Sequence, residues 1–155
     1  MTGIEALHDA ITHAIGWTPR SRSARNRNPG LTMKCAGRQG DYDLDGYMVY
    51  PSIYDGSMAL LLELDLLISG NNNIGITPDS KLRALCDVYA ERRPIYRPQA
   101  FSWHVAEWLN RALGLQFNES TPLRDIARAN SQEENAPCHQ NAHHAGIDPA
   151  RTITN

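Results

Sequence analysis

The sequence predicts a mostly helical α+β domain with one small β-hairpin between its first and second main helices. Three observations lead there. Met58–Ile68 is apolar at nine of eleven positions, on every side of a helix rather than along one stripe. Ile4, Leu7, Ile11 and Ile15 recur at helical spacing with polar residues between them. Between these stretches, the turn-rich segment Gln39–Gly46 runs into Tyr47-Met48-Val49-Tyr50, which has strand composition.

Taken in order, residues 4–15 read as an amphipathic helix stopped by Gly16. Trp17–Arg27 is polar, basic and aperiodic, which predicts a long loop. Asn28-Pro29-Gly30 signals a turn, and a hairpin spanning roughly 31–50 follows. Ser52 and Asp55 have capping-box spacing, so the apolar helix is expected to start near Ser52 and to end at Gly70 and Asn71–Asn73. Its all-round apolar character predicts a core helix around which the other elements pack. Thr77-Pro78-Asp79 and Thr121-Pro122 both look like helix starts, an N-cap followed by proline at the first position. Leu82, Leu85, Cys86 and Tyr89 form the apolar face of one helix; Phe101, Val105, Trp108, Leu109, Ala112 and Leu113 form that of the next. The last short helix runs through Ile126 and Ala129. Residues 1–130 are expected to form the domain and 131–155 a polar, histidine-containing tail.

A chain of 155 residues is long enough to bury one real core. The net charge of −2 says little, but its distribution says more. From Ala10 to Gly40 there are six bases, Arg20, Arg22, Arg25, Arg27, Lys34 and Arg38, and no acid. Arginine supplies thirteen of the fifteen basic residues, which suits planar recognition of carboxylate or phosphate. Cys35, Cys86 and Cys138 are odd in number and far apart, so no disulfide framework is expected. The start of the chain does not read as a signal peptide. Eleven apolar residues fall far short of the ~20 that cross a bilayer, so no membrane partner is expected.

Several groups could carry chemistry. Glu63 and Asp65, two positions apart on the apolar helix, point to nearly opposite sides. One of them must reach a cleft, a partner or a cation, because an unpaired buried carboxylate is costly. A structural pairing with arginine is the ordinary account and a catalytic role the alternative. Asp41, Asp43 and Asp45 before Gly46 match the first half of a calcium loop, but position twelve is Ser52 rather than glutamate, so a solvated hairpin turn is expected and no metal. Cys138, His139, His143 and His144 have spacing that permits zinc, yet lack a second ligand pair. His13 and His104 read as hydrogen-bonded helix residues. Trp17, Trp103 and Trp108 could stack on sugar rings, with Trp108 expected in the core.

Arg25-Asn26-Arg27-Asn28-Pro29-Gly30-Leu31, Gly46–Ser52 and Asp55–Leu60 together resemble a lysozyme-like family of phage virion and bacterial proteins. In that family an Asn-Asn-Pro-Gly turn precedes an aromatic-containing strand and a Ser-x-x-x-Gly helix start. Glucosaminidase-type peptidoglycan hydrolases are more distantly similar. The resemblance covers about residues 10–126 and implies a lysozyme-like α+β fold. Its first asparagine fits Asn26 or Asn28, and Leu31 stands where a second asparagine is common. In the hydrolases a glutamate ahead of a Gly-Trp pair acts as general acid, a role that requires a carboxyl group kept protonated by an apolar cleft. Here the pair is Gly16-Trp17 and the matching position holds Ala14 or Ile15. Glu63 is the other well-placed carboxylate, and Asp43 or Asp45 would be the charge-stabilising group. Arg25, Arg27, Asn28, Trp17 and Tyr47 are the expected ligand- or partner-binding residues. No cofactor is expected.

Three functions compete. One is a virion or assembly component that keeps the lysozyme-like shape without its acid and contacts neighbouring subunits or wall glycan. Another is an active peptidoglycan glycoside hydrolase or lytic transglycosylase. The last is a nucleic-acid binder using the Arg20–Arg38 loop, which lacks a recognition-helix signature. The missing glutamate favours the first. Its expected location is the virion, or the cytoplasm before assembly.

Overall fold

The computed structural model of the chain describes residues 1–33, 40–91 and 98–130. In order these form α1 (Gly3–Ala14), α2 (Arg22–Arg25), β1 (Asp41–Tyr42), β2 (Met48–Val49), α3 (Ile53–Ile68), α4 (Leu82–Ala90), α5 (Pro98–Leu113) and α6 (Leu123–Ala127). The protein is therefore mostly helical with one small antiparallel sheet, the α+β arrangement expected. β1 and β2 pair with Asp41 opposite Val49 and Tyr42 opposite Met48, and Met33 bridges Tyr47. No helix among the described residues is long and apolar enough to cross a membrane.

α1 begins with a complete capping box. Thr2 accepts the Glu5 N–H, and the Glu5 carboxylate accepts the Thr2 N–H at 2.7 Å. That backbone bond, with the Thr2 hydroxyl, holds the Glu5 carboxyl below its ordinary pKa. Ala6, Leu7, Ala10, Ile11 and Ile15 are wholly buried, and α1 packs against α5, α3 and α6. Gly3 N–H donates to the Ala129 carbonyl at 2.8 Å and Thr2 bridges Asn130, joining the first described residues to those that follow α6.

The element at the centre is therefore α1, and the expectation that α3 is surrounded on all sides is corrected. Ser52 does cap α3, accepting the Asp55 N–H at 3.1 Å. Gly56, Leu60, Leu64, Leu67 and Ile68 face inward, but Tyr54, Met58, Leu62 and Leu66 are exposed. Leucine on both sides of a helix hides which side is buried, because periodicity marks a face only where polar residues mark the other.

The basic stretch after α1 is not all loop. Ser21 accepts the Ala24 N–H and starts the single turn α2, too short to show an apolar period. The two Thr-Pro signals are also corrected. α4 starts at Leu82, four residues after Pro78, and Pro122 is the N-cap of α6 rather than its first residue. The two segments meet each other instead. Lys81 bridges Pro122, Leu82 N–H donates to the Thr121 carbonyl, and Leu123 N–H donates to the Ser80 carbonyl. This pairing holds residues 78–81 out of the helix and aligns the starts of α4 and α6.

The two faces of α3 respond differently to truncation. Leu64, 0% exposed, should cost on the order of 2–5 kcal/mol as Leu64→Ala. Leu62, 60% exposed, should cost less than about 1 kcal/mol as Leu62→Ala. Denaturant melts of the two variants check this contrast.

Candidate functional site

Most of the residues singled out in the sequence gather where the turn after α2, the hairpin and the start of α3 meet. The turn takes a route that residues other than glycine seldom adopt, with Arg27 at φ 51° and Leu31 at φ 46°. Asn28 holds it there. Its Oδ1 accepts the Thr32 N–H at 2.8 Å, and its Nδ2 donates to the Thr32 carbonyl at 2.9 Å and the Met48 carbonyl at 3.0 Å. The side chain is buried, so these bonds form out of reach of water. Tyr50 N–H donates to the Asn26 carbonyl, fastening the turn to the hairpin a second time. On its other side the turn lies against α3. A Cβ on Gly56 would sit 1.8 Å from the Arg27 carbonyl oxygen, so residue 56 must lack one.

The hairpin carboxylates belong to the same junction. Asp43 Oδ1 accepts the N–H groups of Asp45 and Tyr47, each at 3.0 Å, and its Oδ2 accepts Asn26 Nδ2 at 2.7 Å. Arg22 approaches Asp43 at 3.5 Å, pairs with Asp45, and stacks its guanidinium 4.8 Å from the centre of the Tyr47 ring. Burial pushes the Asp43 carboxyl up, but the bonds from Asn26, Tyr47 and Asp45 and the Arg22 charge outweigh it. The net effect lowers its pKa, so Asp43 stays ionised and has no proton to give near neutral pH.

The arginines expected to face an anion do so in part within the chain. Arg22 faces the hairpin carboxylates, whereas Arg27 Nε donates to the neutral Tyr50 carbonyl at 2.5 Å and Arg25 Nη1 to the Arg20 carbonyl at 2.7 Å. Glu63 is half-buried and accepts the Thr32 hydroxyl at 3.2 Å, which ties it to the same turn from the α3 side. Asp65 is exposed. The helix end where the resemblance places an acid holds Ala14 and Ile15, both buried. Trp17 is half-buried just beyond it, and makes no ring contact among the described residues. His13, on the same last turn, stacks on Trp108 with ring centres 4.1 Å apart, so Trp108 packs at the edge of the core rather than inside it.

Thr32 went unnoticed in the sequence, where a threonine after a leucine carries no signal. So did a concave region away from the junction. Trp103, Ala106, Glu107, Asn110, Phe117 and Glu119 line a cleft of about 270 Å³ beside α5. Glu107 pairs there with Arg111, and Glu119 takes Arg83 at 3.4 Å and the Ser102 hydroxyl at 3.2 Å. Of this set only Trp103 carries a signal in the sequence, as an aromatic able to stack on a sugar ring. Among the described residues no group of three or more His, Cys, Asp or Glu could hold a metal ion. The Cys138–His144 cluster lies outside the described residues, as do Lys34, Cys35 and Arg38.

Two outcomes follow from the junction. Asn28→Ala leaves the Thr32 N–H without its acceptor and takes one donor from each of the Thr32 and Met48 carbonyls, and should lower unfolding free energy by on the order of 1–3 kcal/mol in denaturant melts. Asp43 has a folded-state pKa below its unfolded one, so its stabilisation is present above the ordinary aspartate value of about 3.9 and is lost as pH falls through the folded value. The stability gap between wild type and Asp43→Asn should therefore close as pH falls below the ordinary aspartate value of about 3.9, read by melts across that range.

Compared with protein families, curated proteins and solved structures, the chain matches none.

Proposed function

We infer that the chain is a lysozyme-like domain of a phage virion or assembly protein, lacking the catalytic acid and used for contacts with neighbouring subunits or wall glycan. The observation that carries this reading is the end of α1. Ala14 and Ile15 are buried and apolar where a glycosidase of this kind needs a proton donor. The reading is also supported by the turn, the hairpin and the Ser52–Gly56 helix start, which carry the resemblance and pack against one another.

The remaining carboxylates do not replace the acid well. A general acid must hold its proton near neutral pH, and Asp43 is shifted the other way. Glu63 is engaged by the Thr32 hydroxyl, which donates to it at 3.2 Å and ties it to the turn. For the nucleic-acid reading, Arg22, Arg25 and Arg27 each have an acceptor within the chain, which reduces what they offer to phosphate.

Turbidity of a purified peptidoglycan suspension should not fall on adding the protein, and Glu63→Gln should behave as wild type. Glu63→Gln should also enter the native virion or assembly at the wild-type level. Robust lysis that persists in Glu63→Gln and Glu5→Gln would overturn the reading, with Glu107→Gln and Glu119→Gln as the next variants to locate the acid.

A further inference from the structure

The outward side of α3 is the feature that the junction leaves unexplained. Tyr54, Met58, Leu62 and Leu66 follow one another at intervals of four, and all are exposed, Tyr54 at 70%. Residues four apart lie on one ridge, and this ridge is about 18 Å long at 1.5 Å per residue. Single exposed apolar residues are ordinary on a protein surface; a row of four along one helix is not.

The charges around the ridge restrict what covers it. α3 carries Asp55, Glu63 and Asp65 and no basic residue. Asp65 is exposed in the last turn, where the helix dipole is negative and an acid is unfavourable. It makes no ion pair among the described residues. A cation brought to that end would be attracted by both the carboxylate and the dipole. A second copy of α3 would instead set acids against acids, and an anionic lipid surface or nucleic acid would meet like charge.

We propose that this face of α3 docks a cationic amphipathic helix of a partner protein, its apolar side on Tyr54, Met58, Leu62 and Leu66 and its Lys or Arg flank near Asp55 and Asp65. An i, i+4 ridge offers the grooves into which a second helix packs. The inference rests on reading the domain as an assembly component and names the kind of neighbour it contacts.

The test uses the full chain and a fluorescein-labelled helical peptide of about 18 residues, with leucine on one face and lysine on its flanks. A peptide with glutamate in place of lysine is the control. The lysine peptide should bind at least about tenfold more tightly than the glutamate peptide by fluorescence anisotropy, and added salt should narrow that difference. Met58→Ser with Leu62→Ser should weaken binding about tenfold or more, while circular dichroism remains that of wild type. Asp65→Lys should reduce the preference for the lysine peptide. Equal binding of the two peptides, no binding, or insensitivity to the paired serine variant would overturn the proposal. So would a dimer in sedimentation that Leu62→Ser dissolves, because a second copy would then own the face. Peptide failure with normal incorporation into the assembly overturns this surface alone, whereas lysis of peptidoglycan overturns the reading beneath it.

Discussion

The Arg27 carbonyl occupies the space that a side chain at position 56 would need, and much of the junction follows from that contact. It lets the start of α3 lie directly on the turn. The turn can then keep Arg27 and Leu31 in left-handed backbone because Asn28 pins it from the other side, through Thr32 and Met48. Backbone in that region is held only where its surroundings fix it. Here a missing Cβ and a buried amide do so together, and the hairpin inherits its position from both.

The same junction decides what its charged groups can do. Asp43 receives two backbone N–H groups, an amide and the influence of a guanidinium. It therefore serves the hairpin turn as an anion, as Arg22 serves it as a cation. A basic loop that would repel itself in isolation is distributed over the hairpin carboxylates and over backbone carbonyls. What reads along the chain as an unbalanced run of arginine is, in space, balanced by carboxylates at Arg22, while Arg25 and Arg27 direct donors to neutral carbonyls.

Legibility in the sequence tracked how local each cause was. The α3 cap at Ser52, the α1 period and the hairpin strand depend on residues within a turn of one another, and they stand where expected. The failures came from partners distant in sequence. Thr77-Pro78 and Thr121-Pro122 look in sequence like independent helix starts, whereas each segment takes backbone bonds from the other. α3 looks surrounded in sequence because nine apolar residues in eleven leave no polar stripe to show its outer face. The junction could be named from Asn28, Tyr47 and the aspartates, but Thr32 and Gly56 acquire their roles only through contact.

The bond between Gly3 and Ala129, with the bridge from Thr2 to Asn130, has a mechanical consequence. Residues 2–3 and 129–130, near the two ends of the described fold, meet at one spot. Two antiparallel segments joined there form a clasp, and tension applied through residues 2 and 130 reaches the clasp before it reaches the packed helices. A fold fastened in this way can sit within a longer polypeptide as a side loop, adding little to the span between the segments on either side of it. Opening the clasp would be the first step in letting that span lengthen.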